Sequence, residues 1–210
     1  IPRQSGLTSL ASRIVFEPEF RDPNALRGIE GWSHLWILWI FSEAVRPGWS
    51  PTVRPPRLGG NERVGVFATR SPFRPNNIGL SSVKLERVEH TENEGDVLIV
   101  SGADLMDGTP IIDIKPYVPY ADAHPEASGG FAAEKFGKKL KVVFPEELLS
   151  RVEPGKREGL KDLLAEDPRP AVQDDPKKIY GMRFAGSEVK FVVSDRVLRV
   201  VDVLPDHRST

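Results

Sequence analysis

Arg70 and Arg74 stand four residues apart in the stretch GVFATRSPFRPNNIGLS, residues 65–81, with Ser71 between them. A guanidinium is a planar fork that can hold phosphate or carboxylate bidentately and stack on a base. Pro72 and Pro75 fix φ and remove two backbone donors. Asn76 and Asn77 can bond locally and tolerate left-handed backbone, and Gly79 permits close approach of another backbone or a ligand. A tight connection between strands explains the prolines, asparagines and glycine. It does not explain the two arginines. The stretch therefore reads as a rigid loop that presents cations to something negative or planar.

The arginines continue upstream. Between positions 46 and 74 stand Arg46, Arg54, Arg57, Arg63, Arg70 and Arg74, and the only acid is Glu62. This fits either a solvated loop stiffened by proline or a local anion surface. A second stretch, LMDGTPIIDIKPY at 105–117, places a turn at Asp107-Gly108 before a strand of Ile111, Ile112 and Ile114. Strand alternation puts Asp113, Lys115 and Tyr117 on one face. Asp113 and Lys115 form either an exposed ion pair of little worth or a working carboxylate beside a cation. Such a carboxylate could take a proton or bind a ribose or amine. EDPRPAVQDDP, 166–176, reads as a loop between elements. The four histidines lack metal-ligand spacing, so no metal is expected. There is no phosphate loop, no nucleophile elbow and no dinucleotide fingerprint.

The elements that must carry these stretches are mainly β over the first two-thirds. Residues 12–18, 33–41, 63–69, 80–90, 96–104 and 110–117 are rich in β-branched and aromatic residues, with turn residues between them. The 80–90 alternation slips once, as at a bulge. HTENEGD reads as a hairpin loop and DPNALRG as one capped helical turn ending at Gly28. Six strands with short connections point to a barrel or sandwich. Residues 118–139 read as a crossing loop or linker. After them PEELLSRV and KREGLKDLLAED read as short helices and 177–203 as a three-stranded meander. The expected division is a β domain over 1–139 and a small α+β domain over 140–210.

Bulk properties narrow the class. The chain has 210 residues, 39% hydrophobic and 28% charged, with net charge −1. Any nucleic-acid surface must then be a patch. There is no cysteine, which excludes disulfides, thiolate zinc sites and a cysteine nucleophile and suits a reducing cytosol. The longest apolar run, LWILWIF at 35–41, is strand-length, far short of the roughly 20 residues of a membrane helix. The first residue is Ile1, so further residues are expected upstream.

IPRQSGL, LRGIEGWSHLWILWIF, RVGVFATRSPFRPNNIGLS, LMDGTPIIDIKPYVPYADA and EDPRPAVQ…KKIYGM stand in the order of the TrmO family, also called TsaA-like or YaeB-like. The chain resembles this family of tRNA (adenine-37-N6)-methyltransferases over about residues 1–205. The resemblance implies S-adenosylmethionine as methyl donor and a tRNA adenosine beside the anticodon, already carrying threonylcarbamoyl in characterised members. It implies a single-sheeted β-barrel whose first strand lies upstream, and a homodimer. Pro2, Arg3 and Gln4 match the donor-binding PRQ segment. Ser42 and Glu43 fall where the family lines the donor, although Ser42 often is His there. Arg70 or Arg74, and Asn76, match the signature loop. Leu105 and the run Gly108, Thr109, Pro110 and Ile111 match a second donor-contacting turn. Asp113 and Lys115 match DIKPY, with Asp113 the expected proton acceptor. Val172 departs from a usual Tyr. Two other readings remain open at this stage: an RNA-binding barrel without catalysis, and a donor-sensing module.

Overall fold

The computed structural model describes residues 4–55, 62–135, 139–169 and 175–206. They fall into two compact units: up to Val53 with Val64–Ser128, and Gly129 onward with the segment 54–63.

The first unit is built on one antiparallel sheet. Its strands are β1 (Ala11–Ile14), β2 (His34–Ile40), β5 (Ile78–Thr91), β6 (Gly95–Ser101) and β7 (Ile111–Pro116), in the spatial order β1-β6-β5-β2-β7. The period-two pattern sets the faces. Leu35, Ile37 and Trp39 of β2, Val83 and Leu85 of β5, and Leu98 and Val100 of β6 make one buried layer. Each such side chain contributes about 1.5–3 kcal/mol by leaving water. β5 and β6 form a hairpin, and Gly95, at φ +70°, opens β6 just after its turn. The slip in β5 is a register shift between Leu85 and Arg87 opposite Val100 and Ile99.

Two expectations need correction. The sheet is open, because β1 pairs only with β6 and β7 only with β2. Among the described residues nothing bridges these edges, so there is no closed barrel. Residues 63–69 are also not one strand. Only β4 (Val64–Gly65) pairs, with β3 (Thr52–Val53). The chain then turns into a 3₁₀ turn over Val66–Ala68, where the Thr69 amide and hydroxyl both donate to the Val66 carbonyl, at 3.1 and 2.8 Å. Local side-chain bonding of this kind competes with the ladder.

The second unit has the sheet order β8-β11-β10-β9, with β8 (Lys141–Val143), β9 (Tyr180–Phe184), β10 (Ser187–Ser194) and β11 (Val197–Pro205). α2 (Glu146–Leu149) and α3 (Arg157–Ala165) supply Leu148, Leu160 and Leu164 to a core shared with Phe191 and Leu198. The meander is joined by β8, a three-residue strand parallel to β11. Three residues carry too little alternation to stand out in the sequence.

Candidate active site

The end of β2 gathers the stretches singled out in the sequence. The Ile40 amide donates to the Pro110 carbonyl at 3.0 Å, and the Phe41 amide donates to the Asn77 carbonyl at 2.8 Å. β2 lies between β5 and β7 and is antiparallel to both, so its C-terminal end meets the start of each. Three connections converge there: the turn Ser42–Ala44, the 69–77 loop and the turn before β7.

The 69–77 loop is braced from within. The Ser71 amide donates to Thr69 Oγ1 and the Phe73 amide to Ser71 Oγ, both at 3.2 Å. Asn77 Nδ2 donates to the Pro72 carbonyl at 2.6 Å. Arg74 turns into the loop, its Nη1 donating to the Thr69 carbonyl at 2.9 Å and the Ser71 carbonyl at 3.4 Å. Arg70 points outward, and its Nη1 donates to Gln4 Oε1 at 2.7 Å. The two arginines therefore differ: one stiffens the loop and the other is displayed by it. Asn76 is exposed and its carbonyl accepts from the Ile78 amide at 2.7 Å. Ser42 and Glu43 are exposed in their 3₁₀ turn.

The second turn is closed by Thr109, whose amide and hydroxyl donate to the Met106 carbonyl at 3.2 and 2.7 Å. Gly108 has φ +73°, a backbone that L side chains rarely adopt. Leu105 and Ile111 pack against the core. Asp113 and Lys115 lie on the outer face, and the Lys115 ammonium sits 2.7 Å from Asp113 Oδ2. The Ile114 amide donates to Asp113 Oδ1 at 2.8 Å. The lysine first, and then this amide, hold the Asp113 carboxyl below its usual range. It is the exposed ion pair of the bland reading, and its basicity is reduced. Pro2, Arg3, Arg57 and Val172 lie outside the described residues.

Several supports were not legible as such. Trp39 Nε1 donates to Ser81 Oγ at 2.9 Å, and this fully buried hydroxyl donates to Asp104. The chain ties β2, β5 and the loop after β6 beneath the site. Asp122 Oδ2 accepts from Trp36 Nε1 and from the Val118 amide, both at 2.8 Å. The Val118 amide and then the indole lower its pKa. Asp122 thereby anchors α1 (Pro119–Asp122) to the outer face of β2. In the sequence these are only isolated polar residues beside aromatic ones.

Comparison with known proteins assigns both halves of the chain. Residues 1–123 match the tRNA-methyltransferase O N-terminal domain and residues 137–206 the TrmO C-terminal domain. The chain belongs to the TrmO family. A tRNA (adenine(37)-N6)-methyltransferase of Eikenella corrodens is 50% identical over 161 residues, 76% of this chain and 89% of that protein. The Escherichia coli protein of the same name is 40% identical and covers 98% of this chain and 91% of its own. A crystal structure of TrmO from Pseudomonas aeruginosa superposes with a TM-score of 0.76 at 36% identity, covering 98% of this chain and 88% of that one. The TrmO match therefore extends over both units.

Proposed function

We propose that this protein transfers a methyl group from S-adenosylmethionine to N6 of adenosine 37 in tRNA. The observation that carries the reading is the match of both TrmO domains, in order, to a chain whose loops meet at one end of a sheet. The residues at that end fit the donor. Glu43 offers a carboxylate for its ammonium, Arg70 a guanidinium for its carboxylate, and Gln4, Ser42 and Asn76 offer amide and hydroxyl groups. Bound there, it supplies an electrophilic methyl on a sulfonium. Pro2, Arg3, and the turn from Leu105 through Gly108, Thr109, Pro110 and Ile111 complete the proposed donor set.

The protein's own part is chiefly positioning. Methyl transfer is an in-line displacement, and fixed geometry can supply much of its acceleration. The internal bracing of the 69–77 loop and the Met106–Thr109 turn keeps the ordering cost of binding low. Adenine N6 is a poor nucleophile because its lone pair feeds the ring. As the new bond forms its proton becomes strongly acidic, so even a weakly basic carboxylate suffices. Asp113 takes that role, with the Lys115 ammonium paired beside it. The threonyl carboxylate of a modified adenosine would add an anion for the arginines.

The protein acts as a homodimer in this reading. Ile78 and Leu80 of β5 and Ile112 of β7 are 42%, 50% and 52% exposed, apolar side chains that a second copy would cover. Among the described residues no helix is long and apolar enough to cross a membrane. A cytosolic site of action follows from the proposed substrate. The test is methyl transfer to tRNA with and without threonylcarbamoyl. Transfer to neither would overturn the proposal and leave the RNA-binding or donor-sensing readings.

A further inference from the structure

Beside the 69–77 loop a cleft of about 300 Å³ opens between residues 44–50 and Phe73, Arg74 and Asn77. None of the donor or proton-transfer roles above uses its outer wall. The Arg46 guanidinium lies over the Phe73 ring, 4.3 Å from its centroid. The Trp49 ring lies 6.0 Å from that of Phe67, with 33° between their planes. Trp49, Phe67 and Phe73 are 53%, 71% and 41% exposed. Large aromatic faces left in water beside arginines are the surface that unpaired bases stack on.

Charge narrows the ligand. Arg46 and Arg74 both line the cleft and, among the described residues, no carboxylate does. Two guanidiniums disfavour a sulfonium, so the reacting centre of the methyl donor belongs elsewhere. They favour a phosphodiester. The volume lies at the small end of ligand pockets, enough for a base and not for a duplex.

We propose that this cleft is a stacking subsite for an unpaired anticodon-loop nucleotide that flanks the target adenosine; it rests on the tRNA-methyltransferase reading. The base stacks on Trp49 and on the Arg46–Phe73 pair, and Arg46 meets its phosphate. Arg74 and Asn77, tied to loop carbonyls, form the rigid wall. The cleft so holds the loop open while the neighbouring adenosine enters the site.

The experiment compares wild type with Trp49→Ala, Trp49→Phe and Arg46→Gln. It measures binding of an unmodified anticodon stem-loop RNA, the KM and kcat for tRNA methylation, and S-adenosylmethionine affinity by calorimetry. Trp49→Ala should weaken stem-loop binding and raise the tRNA KM by roughly tenfold or more, as loss of a base–aromatic stack does. kcat at saturating tRNA and donor affinity should stay near wild type, and Trp49→Phe should recover most of the binding. Arg46→Gln should weaken binding and flatten its salt dependence. Wild-type stem-loop binding by both Trp49→Ala and Arg46→Gln overturns the subsite. So does loss of donor affinity, which would place the cleft in the donor pocket. If Trp49→Ala fails to fold, Arg46→Gln decides alone. A wild type that binds the stem-loop but transfers no methyl refutes the methyltransferase reading, while the binding arm still judges the cleft.

Discussion

The indole of Trp39 lies flat over Gly79, its cross-strand partner on β5, so closely that a Cβ at position 79 would sit 2.3 Å from the ring. The ring is buried and held in place, because its Nε1 is tied to Ser81 and it packs against Phe41 in a tilted pair, 4.2 Å between centroids. The glycine of the signature loop is therefore required by packing rather than by a ligand. Gly79→Ala should cost about 1–3 kcal/mol, the usual range for overpacking. Chemical denaturation measures it. Adding Trp39→Leu, which removes the ring that the new methyl meets, should make the Ala substitution nearly neutral in that background.

Arg70 and Arg74 should separate by experiment. Arg70 is exposed and contacts Gln4, so Arg70→Ala should leave the melting temperature near wild type. It should lower kcat/KM by about 10–150-fold, the worth of a charged hydrogen bond of about 1.5–3 kcal/mol. Arg74→Ala removes the bonds to the Thr69 and Ser71 carbonyls and should lower the melting temperature by a few degrees. Equal melting with equal activity loss would put both side chains on the ligand.

Asp113→Asn should slow single-turnover methyl transfer by about 10²-fold, the low end for general base catalysis, because its paired carboxylate is a weak base. Donor affinity should hardly change. Lys115→Gln removes the first cause of its depressed pKa. The acid limb of the rate profile, which reports loss of the ionised carboxylate, should then move to higher pH. An unmoved limb would exclude Asp113 as the group that titrates.

Asp122 gives a pH dependence of the fold. Its folded pKa lies below the ordinary carboxylate value. The unfolded chain therefore takes up its proton first as pH falls. The stabilisation is complete above the unfolded pKa and is lost as pH drops through the folded one. Asp122→Asn should lower the melting temperature at neutral pH and narrow the gap to wild type in acid. Its indole partner Trp36 should report the lost tie as a change in tryptophan emission.

Much of this was legible in the sequence. Five of the six strands expected in the first unit stand close to where alternation placed them, because the period-two pattern and the turn residues are local. Likewise the pairing of Asp113 with Lys115 follows from residues two apart on one strand face. The stretches that carry the TrmO match are contiguous words, so they were readable without coordinates.

What only the tertiary structure decided involves partners distant in the chain. No local pattern distinguishes Arg70 from Arg74, yet one reaches Gln4 and the other its own loop. Gly79 read as room for another backbone or a ligand, whereas it is the indole of Trp39, forty positions away, that lies over it. Arg46 read as part of either a solvated loop or an anion surface, and only the fold set its guanidinium over Phe73 in a cleft shared with Trp49. Closure was the hardest property to read. An open sheet and a barrel share the same alternation along each strand, and they differ only in whether the edges β1 and β7 find partners.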